Sequence, residues 1–194
     1  MKNHKRIKVA IMLTSSYGVI VNVALLFAMF APMYVLSGPI NGFVSVVTYS
    51  IRAFGRNYYS PALDMASFLS VIVITSSTLN VAAGLATTYL VLRKGKPSLT
   101  ALEALMASAL TLLISLGTLS AIRRIVAYEL SYLTKNYSYS SSAGNVIIEG
   151  VHLTPLPASI IFRGMTYALI TVPYVIAATA VCTYFMRSTQ KGNA

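Results

Sequence analysis

The stretch ASFLSVIVITSSTLNVAAGLATTYLVL, Ala66 to Leu92, carries no charged residue along its whole length. An α-helix needs about 20 apolar residues to cross a bilayer, since each residue advances ~1.5 Å and the hydrocarbon core is ~30 Å thick. Three other runs meet the same requirement: Val9 to Leu36, Leu99 to Ile122 and Thr166 to Met186. The one charge among all four is Glu103, near the start of the third. Lipid offers no hydrogen-bond partners, so runs of this length are read as helices, whose backbone satisfies itself. The fold class that follows is an all-α integral membrane protein, a four-transmembrane-helix bundle forming a single polytopic membrane domain over residues 1–194. Its spans are residues 9–36, 66–92, 99–122 and 166–186, and its outer loops are residues 37–65 and 123–165.

Composition agrees. The chain is 56% hydrophobic and 10% charged, with a mean hydropathy of +0.71. The loops are too short to bury a separate soluble core. A net charge of +11 invites a nucleic-acid reading, but the charges sit where helices leave the membrane rather than along one face or arm, so no nucleic-acid partner is expected.

The same charges orient the chain. Lys2, Lys5, Arg6 and Lys8 precede the first run, Arg93, Lys94 and Lys96 separate the second and third, and Arg187 and Lys191 follow the fourth. Threading four helices puts all nine of these on one side, out of 15 basic residues. The opposite side holds Asp64, Glu129 and Glu149, three of the four acids. The positive-inside rule then predicts a multi-pass cell-membrane protein with both termini cytoplasmic. The basic start imitates a signal peptide, but its apolar stretch is about twice an ordinary h-region and no small-residue cleavage site ends it. Cys182 is the single cysteine, which excludes a disulfide framework and reads as a packing residue.

The connections carry their own signals. Gly95 and Pro97 in the turn Arg93 to Ser98 stop one helix, and Thr100 with Glu103 has capping-box spacing for the next. Ser60-Pro61 reads as the cap and first residue of the second helix, with Asp64 in the first turn, where the helix dipole favours an anion. Ile125, Val126, Glu129, Leu130 and Leu133 keep helical spacing, so the third helix is expected to project as far as Tyr132. Beyond it, Tyr137 and Tyr139 alternate with serines, Ser142 to Asn145 reads as a turn, and Val146 to Ile148 as a strand. A small extracytoplasmic cap with a β-hairpin over residues 137–148, packed near Phe43 to Ile51, is expected, because a lone ribbon is marginal in stability. Two outer loops, a short inner turn and both termini inside resemble the layout of claudin-like tetraspan proteins. The tryptophan and cysteine pair that define that family's first loop are absent here, so the resemblance is one of layout.

Chemistry has few places to reside. His4 lies in the basic tail and His152 in an outer loop, so paired-histidine haem ligation and a Ser–His dyad within the bundle are excluded. Asp64 is the only aspartate, too few for an aspartyl protease. No zinc spacing or glycine-rich phosphate loop occurs. No enzyme activity and no cofactor are expected. Transport is less easily set aside. Intramembrane carboxylates, the usual mark of proton and cation paths, are missing at depth, but Thr75 to Thr78 and Asn80 lie mid-helix, and Ala104, Ser108, Thr111, Ser115 and Thr118 make a small, partly polar stripe. Such stripes pack helices closely and bond across them. Asn22 and Asn80 lie about 20 and 18 Å from the cytoplasmic ends of their runs. They are expected to turn inward at one depth as a midplane polar layer with Ser76 and Thr111, with Ala83 and Thr87 on the face of Asn80. Pro173 is expected to free the Leu169 carbonyl and kink the fourth helix.

On the outer side, Arg52, Arg56, Arg123, Arg124 and Arg163 stand among tyrosines at 58, 59, 128, 132, 137 and 139, residue types enriched in interface hot spots and also in headgroup anchoring. Asn136-Tyr-Ser138 is an N-glycosylation sequon on that side. Besides the lipid bilayer, the expected partner is another protein or further copies of this chain. The first functional expectation is a non-enzymatic structural or accessory subunit that binds partners through its outer cap and small-residue helix faces. The second is a small oligomeric channel or carrier for a neutral or anionic solute.

Overall fold

The computed structural model describes residues 2–94, 99–135, 137–141, 144–148 and 151–191. Four long helices dominate: α1 (Lys2–Phe30), α2 (Pro61–Lys94), α3 (Leu99–Leu133) and α4 (Pro157–Lys191). Each contains a stretch long and apolar enough to cross a membrane, with mean hydropathy between 1.7 and 2.0. Among the described residues seven strands accompany them: β1 (Tyr34–Ser37), β2 (Ile40–Val44), β3 (Tyr49–Ala53), β4 (Arg56–Asn57), β5 (Tyr137–Ser141), β6 (Gly144–Ile148) and β7 (His152–Pro155).

The chain divides into two compact units. The first comprises residues 1–26, 73–117 and 164–194; the second comprises 27–72 and 118–163. Within the first, Ile7, Ile11, Val21, Leu25, Val73, Leu112, Leu169 and Ile176 are buried, spaced at the three- and four-residue steps of single helix faces. The opposite faces remain apolar and exposed, as at Leu13, Ile20, Leu85, Leu110 and Val181, a pattern that water disfavours and lipid accepts.

The second unit holds an antiparallel sheet in the order β4-β3-β2-β1-β7. Four of its strands come from the first long connection and β7 from the second, pairing Tyr34 with Pro155 and Ser37 with His152. The end of α1 is tied into it: Val46 N–H donates to the Met29 carbonyl, and Leu156 N–H to the Met33 carbonyl at 2.8 Å. Met29, Met33, Leu36, Val44, Ile51, Leu63, Ile122, Leu130 and Phe162 form its buried core.

Several boundaries depart from the sequence reading. The first helix stops at Phe30 rather than Leu36, because Pro32 disfavours helical geometry at the preceding residue and cannot donate to a helix; Tyr34 to Leu36 become strand. The fourth helix starts at Pro157, nine residues ahead of Thr166, with proline at the first turn, where it has no bond to lose. Arg163 therefore lies inside α4 rather than before it. The second helix starts as its cap chemistry predicts: Ser60 Oγ accepts the Leu63 N–H at 3.1 Å. The third runs on to Leu133, one residue past Tyr132. It has already begun at Leu99, which places Thr100 within its first turn rather than at its cap. Pro173 lies inside α4.

The hairpin expected over 137–148 is β5–β6, pairing Tyr137 with Ile148 and Ser141 with Gly144. It forms a sheet of its own. The strand from the second connection that joins the first-connection strands is β7, a run of four residues too short and too proline-flanked to announce itself.

Candidate functional site

The amides of the expected polar layer meet within the first unit. Asn22 is 0% exposed and Asn80 2%, and Asn22 Nδ2 donates to Asn80 Oδ1 at 2.9 Å. Asn22 also donates to the Gly18 carbonyl at 2.8 Å. Asn80 Nδ2 donates to Ser108 Oγ at 2.9 Å, whose hydroxyl donates to the Leu105 carbonyl at 2.8 Å. The result is a directed chain across α1, α2 and α3. Its direction is set at Gly18, because turning the Asn22 amide over would bring its oxygen against two other oxygens.

Ser108, rather than Thr111, is the hydroxyl that receives Asn80. Thr111 sits one turn further along and spends its own hydroxyl on the Ser108 carbonyl. Ser76 and Thr87 are buried on α2 with Asn80, and Ala83 is half-buried. The buried face of α2 is centred on Val73, Ser77, Asn80, Gly84 and Val91.

Two glycines explain how amides so short can reach each other. A Cβ on Gly18 would stand 3.3 Å from Asn80 Oδ1, and one on Gly84 would stand 2.6 Å from Val19 Cγ2 and 3.3 Å from the Ser15 carbonyl oxygen. Small residues at a helix crossing bring backbones close. Hydroxyl pairs join α1 to α4: Thr14 with Thr179 at 2.8 Å and Tyr17 with Thr171 at 2.6 Å. Asn22 Oδ1 and Ser77 Oγ are buried without a hydrogen-bond partner.

The coupling of the two amides is measurable. A double-mutant cycle on Asn22→Leu and Asn80→Leu, followed as unfolding free energy in detergent, is expected to give about 0.6 to 2 kcal/mol, the range for cross-helix bonds in membrane proteins. Strict additivity would contradict the pairing.

The sheet-bearing unit holds the second group of candidates. Arg52 and Arg56 are exposed on β3 and β4, Arg124 and Arg163 are exposed on α3 and α4, and Arg123 is half-buried. The hairpin between β3 and β4 turns through Phe54 and Gly55, both at positive φ, 52° and 79°. Two central residues of that kind match the right-handed twist of the flanking strands. Phe54 is the only residue other than glycine, among those described, with positive φ, and it is 66% exposed. Arg52 and Arg56 flank it at the register pairs Arg52 with Asn57 and Ala53 with Arg56. Asn136 lies outside the described residues.

Tyrosine–carboxyl bonds went unread in the sequence. The Tyr49 hydroxyl donates to Asp64 Oδ1 at 2.9 Å and accepts the Ser60 N–H at 3.1 Å, fastening β3 to the start of α2. Burial pushes the Tyr49 phenol above its ordinary value, the Ser60 bond opposes this, and the bond to Asp64 adds to the rise. The Tyr58 hydroxyl donates to Glu129 Oε1 at 3.0 Å, and Glu129 is buried. Both pairings are long-range, so no local pattern announces them. Cys182, read as a packing residue, is exposed; His152 is exposed on β7. Neither a known protein family nor a curated protein matches this chain.

Proposed function

We propose that the chain is a multi-pass cell-membrane protein, both termini cytoplasmic, that works without catalysis as a structural or accessory subunit and binds partners through its outer cap and small-residue helix faces. Phe54 carries this reading. A bulky aromatic residue in left-handed backbone costs about 1 kcal/mol or more relative to glycine or asparagine, and here it brings no burial in return. Such strain is retained where the exposed side chain has a use, and an aromatic tip between two arginines has the composition of an interface hot spot. The ordered sheet points the same way. Its strands occupy chain that four helices do not need for their connections.

Phe54→Asn separates use from stability. The variant is expected to match or exceed the parent by up to about 1 kcal/mol, since asparagine tolerates positive φ, while losing proteins that co-purify in fixed ratio from the native membrane. Undiminished co-purification would remove the hairpin tip from the interface. Orientation is tested apart from this: with Cys182→Ala, a cysteine at Ser141 is expected to react with an impermeant reagent outside intact cells, and one at Gly95 only after permeabilisation. Labelling of Gly95 from outside would overturn the topology.

A second reading, a small oligomeric channel or carrier for a neutral or anionic solute, draws on Asn22 Oδ1 and Ser77 Oγ, buried polar atoms without a hydrogen-bond partner whose cost a purely structural bundle does not require. A pure homo-oligomer that conducts solute in liposomes would favour it over the first.

A further inference from the structure

Strands β3 and β4, the chain on either side of them and the first turns of α2 border an open cavity of about 480 Å³ within the sheet-bearing unit, lined by Tyr49, Tyr58, Tyr59, Asn57 and Asp64 among others. A volume of this size falls within the range of small-molecule sites. No lysine or arginine lines it, although the chain carries 15 such residues against four acids. Among the described residues of this unit the only two acids are Asp64 and Glu129, and each accepts a hydrogen bond from a tyrosine of the cavity wall. One carboxylate, Asp64, and three tyrosines thus share one concavity of a strongly basic protein, with Glu129 bonded to Tyr58 but not itself part of the lining.

We infer that this cavity binds an organic ammonium group, held by the Asp64 carboxylate and the tyrosines at 49, 58 and 59. Aromatic rings attract a cation through their quadrupole, and a set of them with a carboxylate suits a large, weakly hydrated ammonium. A metal ion is a poorer match, because hard cations require six or more oxygen ligands at short range, and the wall offers one carboxylate. Tyr49 and Tyr58 are fixed by their bonds to Asp64 and Glu129, so two walls are preorganised before any ligand arrives. Tyr59 is 77% exposed and stands at the rim. The ammonium could belong to a soluble amine or to a lipid headgroup; the chemistry of recognition is the same. The inference is independent of partner docking at Phe54.

The test uses the full chain in a maltoside detergent, which has no ammonium group. Equilibrium dialysis with labelled tetramethylammonium gives the first arm. Retention of phosphatidylcholine over phosphatidylglycerol, read by native mass spectrometry, gives the second. Saturable binding in the first arm is expected to weaken about tenfold in Asp64→Asn, which loses the charge but keeps the shape, and about threefold in Tyr59→Leu. Tyr59→Leu is an exposed change and keeps the test open should Asp64→Asn unfold. Preference for phosphatidylcholine alone, lost in the same variants, would assign the ammonium to a lipid. No saturable binding in either arm, or binding that folded Asp64→Asn leaves undiminished, would overturn the inference.

Discussion

Replacing Gly42 by alanine is expected to destabilise the sheet-bearing unit by about 3 kcal/mol or more, among the largest effects of any single methyl group in the chain. Gly42 has φ of +141°, a backbone conformation that a Cβ strongly disfavours. It also lies in the middle of β2, opposite Ile51 of β3 and Leu36 of β1. A Cβ there would overlap the Ser50 carbonyl oxygen and stand 2.9 Å from Ile51 Cα. Both obstacles are backbone, so no rotamer change relieves them; the two strands would have to part. Hydrogen exchange reads the result directly. Amides of β2 and β3 are expected to lose protection, while those of the first unit, such as Val73 to Val91 in α2, keep theirs. Gly55→Ala is the comparison. Gly55 also has positive φ, 79°, but nothing stands within 4 Å of its added Cβ, so only the conformational cost of about 1 kcal/mol applies. Equal effects at the two positions would refute the close approach at Gly42.

What could be read beforehand divides along physical lines. Long uninterrupted apolar runs suit few elements other than long helices, which is why the four long helices were legible, and cap chemistry is local, which is why Ser60 and Pro61 marked the start of α2 correctly. The inward turn of Asn22 and Asn80 followed from a one-dimensional argument about depth. Hydropathy fails where apolar residues serve a different element. Met33, Tyr34, Val35 and Leu36 look like the end of a span, yet Pro32 breaks the helix; Tyr34 to Leu36 enter β1, and Met33 and Leu36 join the core of the sheet-bearing unit. Strand pairing between distant segments, such as β1 with β7, depends on where both connections lie in space. The tyrosine–carboxyl bonds are of the same kind: Tyr58 and Glu129 are 71 positions apart. Thr111 was named for the layer on depth, which cannot resolve one helical turn, and the hydroxyl that bonds Asn80 is that of Ser108, a turn away on the same stripe. The glycines at 18 and 84 were available in the sequence as small residues on the asparagine faces, but their importance appears only when the two helices are seen to touch.

Gly84 makes the second large prediction. A leucine there is expected to cost about 3 kcal/mol in detergent, at the upper end for overpacking. Even its Cβ would stand 2.6 Å from Val19 Cγ2, and the Ser15 carbonyl oxygen at 3.3 Å blocks retreat toward the other side. Three further carbons leave separation of α1 from α2 as the means of relief. Separation would act on the amides, because Asn22 and Asn80 reach each other only while the backbones stay close, and a Cβ at Gly18 would meet Asn80 Oδ1 at 3.3 Å and Val172 Cγ1 at 3.6 Å. The Asn22–Asn80 coupling is therefore expected to vanish in a Gly84→Leu background, a result that generic destabilisation would not produce. Gly84→Ala provides the graded case. Alanine gains about 1 kcal/mol of helix propensity over glycine, and Val19 can yield a little by rotation, so the variant should stay within about 1 kcal/mol of the parent. If Gly84→Leu were as stable as the parent and preserved the amide coupling, the crossing of α1 and α2 could not depend on the absence of a side chain at position 84. The polar chain from Gly18 to Leu105 would then need another explanation for its geometry.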